Sequence, residues 1–229
     1  MLTDSLPARL DWLHGEIATA CERSGRSPEE VTLVAVSKTV DRPVIDRAYG
    51  LGVRHFGENR VQRAASIFAD AVPDDLVLHL VGQLQTNKAR LAVSLFDLVE
   101  SVDRESLISA LEQEGVRQNA TIPILLQVNV AREVQKAGCD PDDAVRLCRA
   151  IADCDRLDLR GLMTIAPLAE DPETVRPVFR DLRRLRERIE HQVPGCVVPI
   201  LSMGMTNDFA VAVEEGATHI RVGRAIFGD

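Results

Sequence analysis

Aromatic side chains are scarce: phenylalanine, tyrosine and tryptophan make up only 3% of the 229 residues, with one Trp and one Tyr. That disfavours an aromatic-rich β-sandwich, so the core has to be built from Val, Leu, Ile and Ala, as in layered α/β folds. Basic residues are in deficit, 27 Lys and Arg against 35 Asp and Glu for a formal charge of −8, which argues against nonspecific nucleic-acid binding. No apolar run approaches the ~20 residues of a transmembrane helix. The opening MLTDSLPARLDWLHGEI carries acids where a signal sequence would be continuous and apolar. The five cysteines, at 21, 139, 148, 154 and 196, form no CxxC pair and no Cys/His cluster with metal-ligand spacing. Reduced thiols, no metal site, a cytoplasmic location and no membrane association are therefore expected. No Gly/Ser linker, low-complexity tract or repeat interrupts the chain, so residues 1–229 are expected to form a single domain.

What the chain does contain is alternation. Leu6, Leu10, Leu13 and Ile17 recur at steps of 4, 3 and 4, one stripe of an N-terminal helix. Strands are expected at 31–37, 53–56, 76–81, 96–101, 122–130, 157–163, 197–202 and 218–222, separated by helical patterns. Asp41-Arg42-Pro43, Asp103, Asp140-Pro141 and Asp171-Pro172 are expected to open helices, an aspartate cap satisfying the first amides and proline pre-setting the first turn. In the segment 180–191, Val178, Leu182, Leu185 and Ile189 mark an amphipathic outer helix whose arginines form a solvated face. About eight strand–helix repeats over this length predict a single (β/α)8 TIM-like barrel with an extra N-terminal helix. An open doubly wound sheet is the alternative, weakened because no GxGxxG follows the first strand.

In such a barrel, chemistry belongs at the C-terminal ends of the strands. Lys38 ends VTLVAVSK, where a low-dielectric wall would favour a nucleophilic amine able to form a Schiff base. Amide-rich loops follow strands 2 and 3, GENR at 57–60 and GQLQTNK at 82–88. His79, on the third strand, reads first as a hydrogen-bonded core residue and second as a group facing the mouth. Ser202-Met-Gly-Met-Thr206 and Arg221-Val-Gly223-Arg224 close the last two strands, where barrels commonly build a phosphate cradle from backbone N–H groups, hydroxyls and glycines. A Schiff-base lysine opposite such a cradle specifies pyridoxal phosphate, which offers both an aldehyde and a phosphate. Arg221 would then face the ring nitrogen with a group that stays charged and cannot accept its proton, leaving the ring a poor electron sink. The simpler reading of Arg221 is a salt bridge. Lys136, in the loop after strand 5, reads either as a solvated loop lysine or as a second amine or anion contact.

The blocks LVAVSKTV around Lys38, HFGENRVQ at 55–62, HLVGQLQTNKAR at 79–90, VNVAREVQKAG at 128–138, GLMTIAP at 161–167 and SMGMTNDFAVAVEEGATHIRVGRAIFG at 202–228 resemble the pyridoxal phosphate homeostasis proteins over essentially the whole chain. Their fold is similar to the N-terminal barrel of alanine racemase. The resemblance implies that Lys38 carries the cofactor as an aldimine, that Ser202, Gly223 and residue 224 hold its phosphate, and that Arg221 faces the ring nitrogen. It further implies that Asn59 lies near the ring and that Lys136 takes part in cofactor handling. Arg224 departs from the small hydroxyl residue, such as threonine, carried by many members, so the backbone N–H of 224 is the contact expected to remain.

Family members act as cofactor carriers or buffers, which implies a pyridoxal 5′-phosphate-binding protein of intracellular homeostasis rather than an enzyme. Apo forms of pyridoxal-phosphate-dependent enzymes would be its partners. The alternative is a low-efficiency amino-acid racemase, with Lys38 as a single base; a third reading is an aldolase-like enzyme for phosphorylated aldehydes. Racemisation wants a second acid/base on the opposite face, supplied in alanine-racemase-like enzymes by an added domain, and the sequence ends at Asp229, just after the eighth strand. A complete barrel with a charged outer face predicts a monomer.

Overall fold

Runs carrying Val, Leu or Ile, and in β2 the sequence His-Phe-Gly-Glu, become eight parallel strands: β1 (Thr32–Val36), β2 (His55–Glu58), β3 (Val77–Leu80), β4 (Leu98–Val102), β5 (Ile122–Gln127), β6 (Leu157–Met163), β7 (Ile200–Ser202) and β8 (His219–Val222). Each pairs with the next, and β8 returns to β1 with Val34 opposite Arg221, closing the barrel. This is the expected (β/α)8 architecture. The computed structural model describes residues 5–228; residues 1–4 and 229, which the single-domain expectation also takes in, lie outside the described residues.

Nine helices are found among the described residues: α1 (Leu6–Ser24), α2 (Arg42–Gly50), α3 (Val61–Ile67), α4 (Ala89–Val93), α5 (Glu105–Gln118), α6 (Ala144–Ala152), α7 (Arg176–Gln192), α8 (Phe209–Glu214) and α9 (Arg224–Phe227). In α1 the Ser5 hydroxyl accepts the Ala8 N–H, and Gly25 in the left-handed region (φ +67°) ends the helix. The expected stripe Leu6, Leu10, Leu13 and Ile17 is buried, and α1 packs against α8 and α9.

Two aspartates do not cap as expected: Asp41 holds the N-cap position of α2 with no side-chain cap hydrogen bond, and Asp103 is displaced from the cap of α5. Arg104 holds the N-cap position of α5 while Asp103 pairs with the Arg104 side chain at 2.6 Å. Asp140, although ion-paired with Arg132, accepts the Asp142 N–H at 2.9 Å, but it caps a turn that precedes α6, which begins only at Ala144. Asp171 does accept the Glu173 N–H, but it caps a 3₁₀ turn, Pro172–Val175, that precedes α7. In α7 the buried stripe is Phe179, Leu182, Leu185 and Ile189; the larger ring of Phe179 takes the core slot expected for Val178, which is left half-buried.

The main core lies between the sheet and its ring of helices. Inside the barrel, Leu98, Leu125 and Met163 form a separate small apolar cluster backed by Ile165 and Ile200. A register shift between Val99 and Val102 sets three steps on β4 against the two from Ile124 to Leu126 on β5, a bulge that includes Glu100 and Ser101. Beside this cluster the interior holds a polar chain of side chains that leads to the mouth.

Candidate functional site

The polar interior is one continuous hydrogen-bonded chain. Arg221 on β8, only 4% exposed, donates from Nη1 to the Ser202 hydroxyl at 2.6 Å and from Nη2 to the Thr164 carbonyl at 2.7 Å. Ser202 donates in turn to Glu100 Oε2 at 2.5 Å, and Glu100 Oε1 is 2.7 Å from His79 Nδ1. His79 Nε2 then meets His55 Nδ1 at 2.9 Å. Because β4 and β7 are not neighbours, the Glu100–Ser202 bond can only cross the barrel's interior. The rings of His55, His79 and His219 cluster there with centroids 5.2–6.3 Å apart.

The electrostatics follow from this packing. Burial alone would push the Glu100 carboxyl up, but the hydrogen bond from His79, the charge of Arg221 and the Ser202 hydroxyl outweigh it and hold it down to about 2. An ionised Glu100 can only accept, so His79 Nδ1 is a donor. Burial lowers His55 and His219 to about 4, keeping both rings neutral at pH 7. It also lowers Arg221, against the raising fields of Glu100 and Asp208. Asp208, 7% exposed, is raised by burial, opposed by the Met205 N–H that it accepts at 2.6 Å and by the charges of Arg221 and Lys136.

Above this floor stand the residues singled out in the sequence. Lys38 lies two residues beyond β1 and is exposed, so the protein alone does not provide the low-dielectric wall expected around it. Gly223, the N-cap of α9, abuts the same strand end: a Cβ there would sit 3.1 Å from the Val36 carbonyl oxygen. Lys38 and the Gly223–Arg224 turn thus share one side of the mouth. The Arg224 side chain is exposed, while the first N–H groups of α9 have no partner inside the helix.

Asn59 is half-buried after β2, and its backbone presses on Gly82 so closely that a Cβ on Gly82 would lie 2.2 Å from the Asn59 oxygen. Lys136 stands across the mouth, after β5, ion-paired with Glu133. Its loop is held by the reciprocal bonds Asn129 Nδ2 to Glu133 O at 2.8 Å and Glu133 N to Asn129 Oδ1 at 3.2 Å.

His79 is the hydrogen-bonded core histidine of its first reading, three links from Arg221 through Glu100 and Ser202. The Ser202 hydroxyl is turned inward, its proton committed to Glu100, and the next amide, Met203 N–H, is bonded to the His219 carbonyl. Glu100, Asp208, His55 and His219 were not anticipated from sequence. The available signal for Glu100 was an acid inside the apolar run LVESV.

Fold and mouth together define a (β/α)8 barrel of the alanine racemase N-terminal type, and the family model "Alanine racemase, N-terminal domain" matches residues 17–229. The chain is 38% identical over 221 residues to the pyridoxal phosphate homeostasis protein of Aquifex aeolicus, covering 96% of both chains. It is 36% identical over 228 residues to that of Vibrio alginolyticus, covering 98% of this chain and 97% of the relative. The solved structure of PipY from Synechococcus elongatus PCC7942 with PLP bound superposes with a TM-score of 0.85 at 38% identity, covering 98% of this chain and 100% of that one. The chain belongs to the pyridoxal phosphate homeostasis protein family. No helix among the described residues is long and apolar enough to cross a membrane.

Proposed function

We propose that this chain binds pyridoxal 5′-phosphate reversibly, as a lysine aldimine on Lys38, and serves as a carrier in the cell's cofactor homeostasis. The bound cofactor supplies an aldehyde that condenses with a primary amine and a phosphate dianion that anchors it. The observation that carries the reading is the shared side of the mouth: an exposed amine after β1, the Gly223–Arg224 turn packed against the end of β1, and Arg221 fixed in the floor. The names of the relatives and the PLP-bound PipY structure support it.

The residues fit the group. The N–H groups of the Gly223–Arg224 turn would hold the phosphate, and the Ser202 hydroxyl would join them only by leaving Glu100. Asn59, half-buried just after β2, would flank the ring. Arg221 offers donors only and keeps a facing ring nitrogen unprotonated, which disfavours carbanion chemistry and suits holding over turnover. Lys136, on the opposite side, is a second amine for handling the cofactor on its way to apo enzymes. We read the protein as a cytoplasmic monomer that is not an enzyme.

Borohydride reduction of the loaded protein followed by peptide mass mapping tests this. A pyridoxyl adduct on Lys38, absent in Lys38→Ala, is expected; an adduct only on another lysine overturns the assignment. Incubation with L-alanine in deuterated water checks for turnover. Sustained α-deuteration or racemisation lost in Lys38→Ala would establish the racemase alternative.

A further inference from the structure

We propose that Glu58 and Arg63 are positioning residues for Lys38, closing a ring of hydrogen bonds around the turn that carries its amine. The proposal rests on the reading of Lys38 as the amine that takes the aldehyde. Ser37, just before Lys38, donates its hydroxyl to Glu58 Oε1 at 2.7 Å. Arg63 Nη1 donates to the same oxygen at 2.6 Å, while its Nη2 donates to the carbonyl of Val40, two residues after Lys38. One carboxylate and one guanidinium therefore hold the turn on both sides of the lysine.

The strand end does not need this pair to form. Ser37 N–H already bonds the Gly57 carbonyl at 2.9 Å, and Val40 N–H bonds the Ser37 carbonyl at 3.1 Å, so the local backbone is satisfied without it. Yet Glu58 is fully buried and its Oε2 has no hydrogen-bond partner. A buried carboxyl group with one oxygen unmet is costly to keep. Lys38 and Thr39 are themselves exposed, and neither side chain has a hydrogen bond or ion pair among the described contacts. The backbone at Lys38 is thus the fixed origin of a long flexible side chain, and Glu58 and Arg63 fix it from behind the sheet.

The step they assist is condensation. The Nζ lone pair forms a C–N bond to the aldehyde carbon, and after proton transfer the aldehyde oxygen leaves as water, with no change of oxidation state. A turn held in one geometry raises the fraction of time Nζ spends within reach of that carbon, and small misplacements of reacting groups are expensive in rate. Phosphate anchoring by the Gly223–Arg224 turn does not involve the pair.

The two contributions separate by ligand. Pyridoxine 5′-phosphate has the ring and phosphate but no aldehyde, so its affinity reports anchoring alone; the rate of the absorbance change on mixing with pyridoxal 5′-phosphate reports condensation. In Glu58→Gln and Arg63→Lys we expect condensation to slow by about ten-fold, with pyridoxine 5′-phosphate affinity unchanged. Amide hydrogen exchange at residues 38–40 of the cofactor-free protein should accelerate in both. Arg63 is partly exposed, so its variants carry the test if Glu58→Gln folds poorly. Unchanged condensation in folded variants overturns the proposal, as does an equal loss of both affinities. Lys38→Ala is run alongside: if it condenses normally, the reading of Lys38 fails, whereas its loss together with normal Glu58 and Arg63 variants sinks only the positioning role.

Discussion

Acid should weaken this barrel well above the pH at which carboxylates normally protonate, because of the histidines inside it. His55 and His219 are held at about 4 in the fold against 6.5 in the open chain. A depressed histidine binds fewer protons folded than unfolded, so stability is full above the unfolded value and is lost as pH falls from 6.5 towards 4. Between pH 7 and pH 5 the linkage integral for one such group is about 2 kcal/mol, and since both rings are only half-buried, screening brings the pair to about 2–3 kcal/mol. Glu100, at about 2 against 4.5, adds its own loss only as pH falls below 4.5, so the first stage belongs to the histidines. Urea unfolding at pH 7, 6 and 5, followed through the single Trp12 edge-on to Phe209 at 6.3 Å, would measure it. A His55→Asn/His219→Asn double variant should lose most of the dependence. A wild-type protein equally stable at pH 7 and 5, or a double variant with an unchanged slope, would refute the reasoning.

Glu100→Gln should destabilise by about 3–5 kcal/mol in urea titrations, since Arg221 would stay buried without its counter-charge; a loss below about 1 kcal/mol would show that Ser202 and the Thr164 carbonyl suffice. Gly82→Ala places a Cβ 2.2 Å from the Asn59 carbonyl oxygen and should displace that loop at a cost of about 1–3 kcal/mol, seen as a lower Tm and altered amide shifts at residues 58–60. Gly223→Val crowds the Val36 carbonyl and should weaken retention of pyridoxal phosphate more than that of pyridoxal. Equal retention of the two ligands by the wild-type protein would argue against phosphate anchoring there.

The barrel is legible because every strand but β2, His-Phe-Gly-Glu, is a short run built on Val, Leu or Ile and bounded by polar turns, and closure adds no local signal of its own. The differences lie at strand ends. The sequence pattern extends the seventh strand over 197–202, but its ladder starts at Ile200, directly after Pro199, which has no N–H to give. It extends the fifth to 130, but from Val128 the chain peels away to pair with Cys139. Of the candidate site, the placement of Lys38, Arg221 and Gly223 at strand ends is legible from the strand pattern. Glu100 is not: its partners His79 and Ser202 sit on other strands, one of them 102 residues away, and an acid in an apolar strand has no readable partner until the barrel closes. The inward turn of Ser202 was hidden for the same reason.

The polar chain also bears on how the barrel assembles. Its links join β2 to β3, β3 to β4, β4 to β7 and β7 to β8, so a partial barrel lacking β7 and β8 would enclose Glu100 with neither Ser202 nor Arg221 to receive it. Non-local contacts of this kind form late and at an entropic cost, and a half-satisfied buried network is worse than none. Half-barrels are thereby penalised, and a misregistered closure would be penalised in the same way. The chain that orients Arg221 in the finished protein thus favours closure of the eight strands together over closure in parts.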